Sequence, residues 1–288
     1  MVGDIMVDVV VALEDDIQRG SDTPSKITQT IGGTGINVAT WAKHTGGEPF
    51  IIGCIGNDIG GSYIESHLNN WGIEFAIQKL EQATTGMVVA LAHLDGERSM
   101  FPDSRANSEL SEFQFDSIDW KQFSHFYISG YTLFNLRTRE LAKKLMATAR
   151  ANGVAVVLDP ASAAPLSSLH PEELASWLIN TDYLVPNEME LRTIIEKLET
   201  DLSGLISHTP NLIIKLGSAG AIWFAAGVNQ EFQAPIVEVV DSVGAGDAFA
   251  GALLAELSAG KSVPVAIEQA IKAGASSVGM RGAQPIKA

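Results

Sequence analysis

Asp241-Ser242-Val243-Gly244-Ala245-Gly246-Asp247-Ala248-Phe249-Ala250-Gly251 lies between an apolar run at 236–240, which reads as a strand, and a long small-residue-rich helix predicted over 245–259. Glycines at the mouth of a helix let successive backbone N–H groups converge on one point, where the helix dipole adds partial positive charge. Such a mouth is an anion hole. An Asp beside it repels phosphate but is well placed to take a proton from an attacking hydroxyl. Seen alone, the segment is equally a Gly-rich helix start with Asp247 as an ordinary first-turn residue.

Outward from this segment the C-terminal half alternates helical periodicity with short apolar runs, the pattern of βαβ units on a mostly parallel sheet. A helix over 137–152 ends at Gly153, and a buried strand over 154–158 runs into Asp159-Pro160. Helices follow over 171–178 and 188–198, with a short strand at 183–185 between them and further strands at 212–216 and 220–225. A last helix covers 263–280. The first half differs: 7–13 and 86–94 read as strands of a small β layer, while 35–43 and 59–71 read as helices flanking a strand at 50–55.

The 288 residues suffice for one α/β domain with a small appendage. A net charge of -15 argues against a nucleic-acid or anionic-membrane surface, so any phosphate site must be built locally from backbone amides. Cys54 is the only cysteine, which excludes an intramolecular disulfide and fits a small buried hydrophobe in a reducing, cytoplasmic setting. The six histidines form no His-x-x-x-His pair, no apolar stretch approaches the roughly 20 residues of a membrane span, and no signal-like N-terminus is present. A Walker A loop and a strict G-x-G-x-x-G are both absent, which removes P-loop kinases and weakens a nicotinamide-dependent oxidoreductase.

Five segments, in order, carry a resemblance. Asp241-Ser-Val-Gly-Ala-Gly-Asp247 resembles the second signature of the ribokinase-like (PfkB) sugar and nucleoside kinases, D-[ST]-x-G-A-G-D. Gly32-Gly33-Thr34-Gly35-Ile36-Asn37 is similar to the first. Gly3-Asp4-Ile5-Met6-Val7-Asp8 resembles the N-terminal strand whose closing Asp binds substrate hydroxyls, Asn187-Glu188-Met189-Glu190 the N-x-x-E element, and Lys215-Leu216-Gly217-Ser218-Ala219-Gly220 the strand and turn bordering the nucleotide.

The resemblance implies a single three-layer α/β/α domain with a β lid from about 8–31 and 84–105, ATP and Mg2+, and K+ held around Asp241 and Val243. It implies Asp247 as catalytic base with Gly244, Ala245 and Gly246 holding the transferring phosphate. Asp8, Gly33 and Asn37 would orient the substrate, and Arg105, near the end of the lid segment, is a candidate for contacting an anionic substrate group or phosphate. Asn187, Glu190, Lys215, Gly217 and Gly220 would serve nucleotide and metal, and a homodimer through the lid is expected.

Thr34 stands where ribokinases tend to carry Lys, and a strand expected over 126–131 offers Gly130 and Tyr131 about where they present a substrate-binding Glu; ribose is therefore not assigned. The lid carries few aromatics beyond Phe101, which favours a sugar over a nucleoside such as adenosine or pseudouridine. A catalytically silent binding protein is the reading from another class. The chain begins only two residues ahead of Gly3, so the first strand is expected to be shortened or the start site to lie elsewhere, and the late loop 282–288 is expected to be a little short.

Overall fold

The computed structural model describes residues 1–94, 98–112, 115 and 118–287. In chain order the first half holds β1 (Met6–Leu13), β2 (Ser25–Gly32), α1 (Thr34–His44), β3 (Phe50–Gly56), α2 (Ile59–Trp71), β4 (Glu74–Leu80), β5 (Gly86–Ala92) and β6 (Arg98–Asp103). The second half holds β7 (His125–Ser129), α3 (Gly130–Phe134), α4 (Arg139–Ala151), β8 (Ala155–Asp159), α5 (Ala163–Ser167), α6 (Pro171–Leu178), β9 (Tyr183–Leu184), α7 (Glu188–Leu198) and α8 (Leu202–His208). It ends with β10 (Asn211–Lys215), β11 (Ala221–Ala225), β12 (Val228–Phe232), α9 (Ala245–Ser258) and α10 (Val263–Val278).

Strands β7, β8, β9 and β10 run parallel, and β11 and β12 extend them antiparallel. The parallel pair β3 and β4 joins this sheet through one residue: Val2 bridges Ile52 on β3 and Ile128 on β7. Val2 N donates to Tyr127 O and Ser129 N to Val2 O, while Ile52 N donates to Met1 O. The place of an interior strand is thus held by Met1 and Val2, and Val2 is buried.

Both faces of this sheet are covered, which is why its strands read as unbroken apolar runs. Alternate residues serve opposite cores. Ile52, Phe126, Val156, Leu158, Leu184 and Leu212 meet α4, α6 and α7 on one side, and Tyr127, Val157, Val185 and Ile213 meet α1, α9 and α10 on the other. The molecule is a three-layer α/β/α sandwich. A second sheet, ordered β2-β1-β5-β6, is built from the segments expected to form the lid, of which 95–97 lie outside the described residues. No described helix is long and apolar enough to cross a membrane.

Three expectations are corrected. Residues 236–240 form no strand; Ile236 and Val239 are exposed, and the stretch pairs with the rest of the fold mainly where Val240 N and Asp241 N donate to Val278 O. An apolar run there marks a wall of a cavity rather than a ladder. The strand expected over 126–131 stops at Ser129, whose hydroxyl accepts the Tyr131 N–H and starts α3 at Gly130. Asp8 does not close a strand; it lies inside β1, opposite Thr30 and Val88, because β1 begins only at Met6.

Candidate active site

Asp247 occupies the first turn of α9, whose N-cap is Gly244 with φ 80, a left-handed conformation that favours glycine. A side chain at Gly244 would also strike Ala283, with a Cβ 2.6 Å from its Cα. The first-turn amides of α9 have no intrahelical acceptor by position. A Cβ placed on Gly246 would meet nothing closer than Lys215 Nζ at 3.7 Å, so the space in front of this helix start is open. Ala245 N has a long contact to Ser242 O at 3.5 Å, and Ala245, Gly246 and Asp247 line one opening together with Lys215.

The carboxylate of Asp247 is held by Asn37, whose Nδ2 donates to Oδ2 at 2.9 Å. Asn37 sits in the first turn of α1, and Gly33 just before that helix has φ 90. A Cβ on Gly33 would lie 2.3 Å from Asp4 O, and one on Gly35 would lie 2.6 Å from Gly3 O. The glycines of the first motif therefore let the mouth of α1 lie against residues 3–5, bringing Asp4 and Asp8 towards Asp247. Burial pushes Asp247 up to about 7, against the Asn37 hydrogen bond, and pushes Asp4 and Asp8 up to about 6 each. Asp8 Oδ1 and Thr34 Oγ1 are buried without a hydrogen-bond partner.

A cavity of about 600 Å3 opens from this point, with Asp247, Gly246 and Lys215 at one end and Gly217, Ile236, Val239, Phe249, Ile271 and Val278 along its walls. Asp159 and Glu190 also line it. Lys215 Nζ donates to Asp159 Oδ2 at 2.8 Å. Burial works against the Lys215 ammonium, but Asp159 and Glu190 outweigh it and raise its pKa. Asn187 caps α7 in a capping box: its Oδ1 accepts Glu190 N, while Glu190 Oε2 accepts Asn187 N and Oε1 accepts Asn187 Nδ2. Burial raises the Glu190 pKa, with Lys215 opposing.

Of the residues singled out from the sequence, Asn187, Glu190, Lys215, Gly217, Gly220, Ala245, Gly246 and Asp247 line this one cavity, and Asn37 adjoins it through its hydrogen bond to Asp247. Gly33 and Gly244 shape the two helix mouths beside it, and the Asp8 charge acts on Asp247 without lining the cavity. Gly220 has a further structural duty: with φ 100, its Cβ would lie 1.9 Å from Phe232 O. Asp241 is buried and its carboxylate accepts Val243 N and Gly282 N, each at 3.0 Å, which ties the signature loop to the tail. Arg105 is not brought in. It pairs with Asp103 at 2.7 Å and lines a separate shallow depression with Thr84, Glu109 and Arg137.

Sequence reasoning passed over Asp4, Asp159, Tyr127 and Gln284. Asp159 carried a legible signal, an acidic residue at the carboxyl end of a parallel strand, where open α/β sheets place their ligands. Asp4 and Gln284 had none, since only the folded chain sets them near Asn37 and Asp247.

The model of the family described as pfkB family carbohydrate kinase matches residues 1–288. The chain is 30% identical over 263 residues to a ribokinase of Haemophilus influenzae, covering 88% of this chain and 82% of the relative. It is 28% identical over 275 residues to an aminoimidazole riboside kinase of Salmonella typhimurium, covering 88% and 83%. A protein from E. coli described as ribokinase II, solved with ATP and Mg2+, superposes with a TM-score of 0.86 at 27% identity, over 98% of this chain and 92% of the other. With the ribokinase fold, a glycine-lined helix mouth and a match over its whole length, this chain belongs to the pfkB family of carbohydrate kinases and is an ATP-dependent kinase of that family.

Proposed function

We propose that the chain moves the γ-phosphate of ATP to a hydroxyl of a small neutral sugar, with Asp247 as the base. The observation that carries this reading is the carboxylate of Asp247 at the open mouth of α9, fixed by Asn37 and raised by burial to about 7, near the pH at which a general base works best. The hydroxyl proton passes to Asp247 as the new oxygen–phosphorus bond forms in line, the bond to the β-phosphate oxygen breaks, and ADP leaves. The first-turn amides at Gly244, Ala245 and Gly246, with Lys215, face the charge on the transferring group.

The cavity beyond Lys215 fits a nucleotide: its far walls are apolar, and Gly217 carries no side chain to fill it. Magnesium bound with ATP would neutralise charge between the phosphates; the acidic side chains on that side are Asp159 and Glu190, and Glu190, both of whose oxygens serve Asn187, would reach the ion through water. For K+, the Asp241 carboxylate is already committed to two backbone amides, so a cation there would rest on carbonyls near Asp241 and Val243.

Two carboxyl groups, Asp8 and Asp247, lie on the acceptor side, where Lys215 is tied to Asp159 and Arg105 is elsewhere. That balance supports a neutral polyol and opposes a sugar acid or sugar phosphate. The unpartnered Asp8 Oδ1 and Thr34 Oγ1 supply an acceptor and a donor-acceptor for its other hydroxyls. The likeness to an aminoimidazole riboside kinase supports a second reading, a riboside acceptor. We read the sheet β2-β1-β5-β6 as a lid over this side, and its exposed Ile27, Met100 and Phe101 support pairing with a second copy.

The deciding experiment measures ADP release from ATP and Mg2+ over a panel of pentoses, hexoses, sugar acids and nucleosides, with Asp247→Asn in parallel. Turnover on a neutral acceptor that falls by roughly 10²–10⁴ in the variant is expected; undiminished turnover in Asp247→Asn would remove Asp247 as the base.

A further inference from the structure

We infer that Gln284 is a positioning residue for the base, selecting through the side-chain amide of Asn37 the orientation in which Asn37 donates to Asp247. The inference rests on the reading of Asp247 as the base and deepens it. Gln284 Nε2 donates to Asn37 Oδ1 at 3.1 Å, and Asn37 Nδ2 donates to Asp247 Oδ2 at 2.9 Å, so three side chains from the tail, α1 and α9 form one directed chain.

The direction matters because the two ends of an asparagine amide have nearly the same shape and opposite hydrogen-bonding character. Rotated by half a turn, Asn37 would aim its oxygen at the Asp247 carboxylate, replacing a charge-assisted hydrogen bond by a contact between two acceptors. Asn37 is only 5% exposed, so water has little room to arbitrate between the two orientations. The Asp247 carboxylate, an acceptor at the near end, and a donor at the far end, Gln284 Nε2, both favour the same orientation, the one in which Asn37 Nδ2 faces Asp247.

Gln284 can do this because the tail before it is pinned to the start and the middle of the signature loop and to α1. Gly282 N donates to Asp241 Oδ2 at 3.0 Å, Ala283 O accepts the Trp41 indole N–H at 2.9 Å, and Ala283 packs against the bare Cα of Gly244. Asp241 opens the signature and Asp247 closes it, and the tail spans between them. The electrostatic consequence agrees with the geometry: burial raises the Asp247 pKa and the Asn37 hydrogen bond opposes it, so losing the correct Asn37 orientation raises it further.

The test uses Gln284→Met, which keeps length but has no donor, and Gln284→Glu, whose carboxylate offers only acceptors and favours the inverted Asn37. The Asp247 carboxyl is titrated by 13C NMR of aspartate-labelled protein, its signal assigned by its loss in Asp247→Asn. In parallel, kcat is followed from pH 5.5 to 9 with ATP, Mg2+ and D-ribose, or the panel sugar found to turn over. The expected result is an upward shift of roughly half to one unit in the titration, with kcat down roughly three- to tenfold below pH 7 and near the parent value at pH 9. A larger shift is expected in Gln284→Glu. An unmoved titration in both variants overturns the inference, even if KM or thermal stability changes, while leaving Asp247 as the base if Asp247→Asn is dead. Full turnover in Asp247→Asn defeats the underlying reading whatever Gln284 does.

Discussion

Lys215 Nζ lies 2.8 Å from Asp159 Oδ2, joining the last parallel strand of the sheet to the end of β8 two strands away, with the two side chains 15% and 8% exposed. A pair this well buried is costly to break from one side, because the remaining charge loses its partner without regaining water. Lys215→Met is therefore expected to lose roughly 3–5 kcal/mol of stability, and Lys215→Met with Asp159→Leu distinctly less. Urea unfolding of the two single variants and the double variant checks this; a double-variant loss equal to the sum of the two single losses would show that the pair is not coupled.

The same variant bears on the nucleotide. Since the ammonium lies beside the open start of α9, Lys215→Met is expected to raise KM for ATP by about tenfold or more, one charged contact's worth of binding. Steady-state kinetics at varied ATP reads this directly. An unchanged KM would confine Lys215 to holding Asp159.

Activity and stability should answer oppositely to pH on the acceptor side. The base must be ionised, so kcat should rise about tenfold per unit below pH 7 and level off above it, following the Asp247 value of about 7. For folding, Asp8 has a native pKa of about 6 against an ordinary 3.8, so the native state holds its proton more tightly than the unfolded chain. The stability this contributes is fully present below about 3.8 and is lost as pH rises through about 6. Asp8→Asn should thus raise the thermal midpoint at pH 8, leave it nearly unchanged at pH 4, and impair turnover. A variant no more stable than the parent at pH 8 would show that the Asp8 carboxylate is compensated.

What the sequence made legible follows from how local each signal is. The continuous apolar runs around Val156 and Ile213, bounded by Gly and Pro, announce strands buried on both faces because the run itself is the consequence of burial. The mouth of α9 was legible for the same reason: Gly244 and Asp247 are three residues apart, and helix geometry places them together without help. The run at 236–240 misled because an apolar cavity wall and a buried strand have the same composition. Arg105 misled because the turn after β6 directs it to Asp103, and nothing in the chain order says which side of the lid sheet a turn faces. Asp4 and Gln284 reach the site only through contacts between residues far apart in sequence, and Val2 shows that two residues can do a strand's work in a sheet.

A close helix–helix contact in the sandwich supplies the last prediction. Gly251 on α9 faces α1 so closely that a Cβ would lie 2.6 Å from Trp41 Cβ, 2.7 Å from Val38 O and 2.8 Å from Ala42 N. Two of these neighbours are backbone atoms and cannot swing aside, so the helices must separate. On α10, by contrast, a Cβ at Gly274 would meet Ala245 O at 3.4 Å and Phe249 Cβ at 4.0 Å, both ordinary contacts. Alanine is the better helix former by roughly 1 kcal/mol, so Gly274→Ala should be neutral or stabilising. Gly251→Ala should lose roughly 1–3 kcal/mol by overpacking despite the same gain in propensity. Because Asn37 directly precedes Val38 on α1 and Asp247 lies four residues before Gly251 on α9, the shifted helices should also weaken the base and lower kcat. Chemical denaturation of the two variants side by side decides it, and equal stability would mean that the α1–α9 interface yields more easily than its spacing implies.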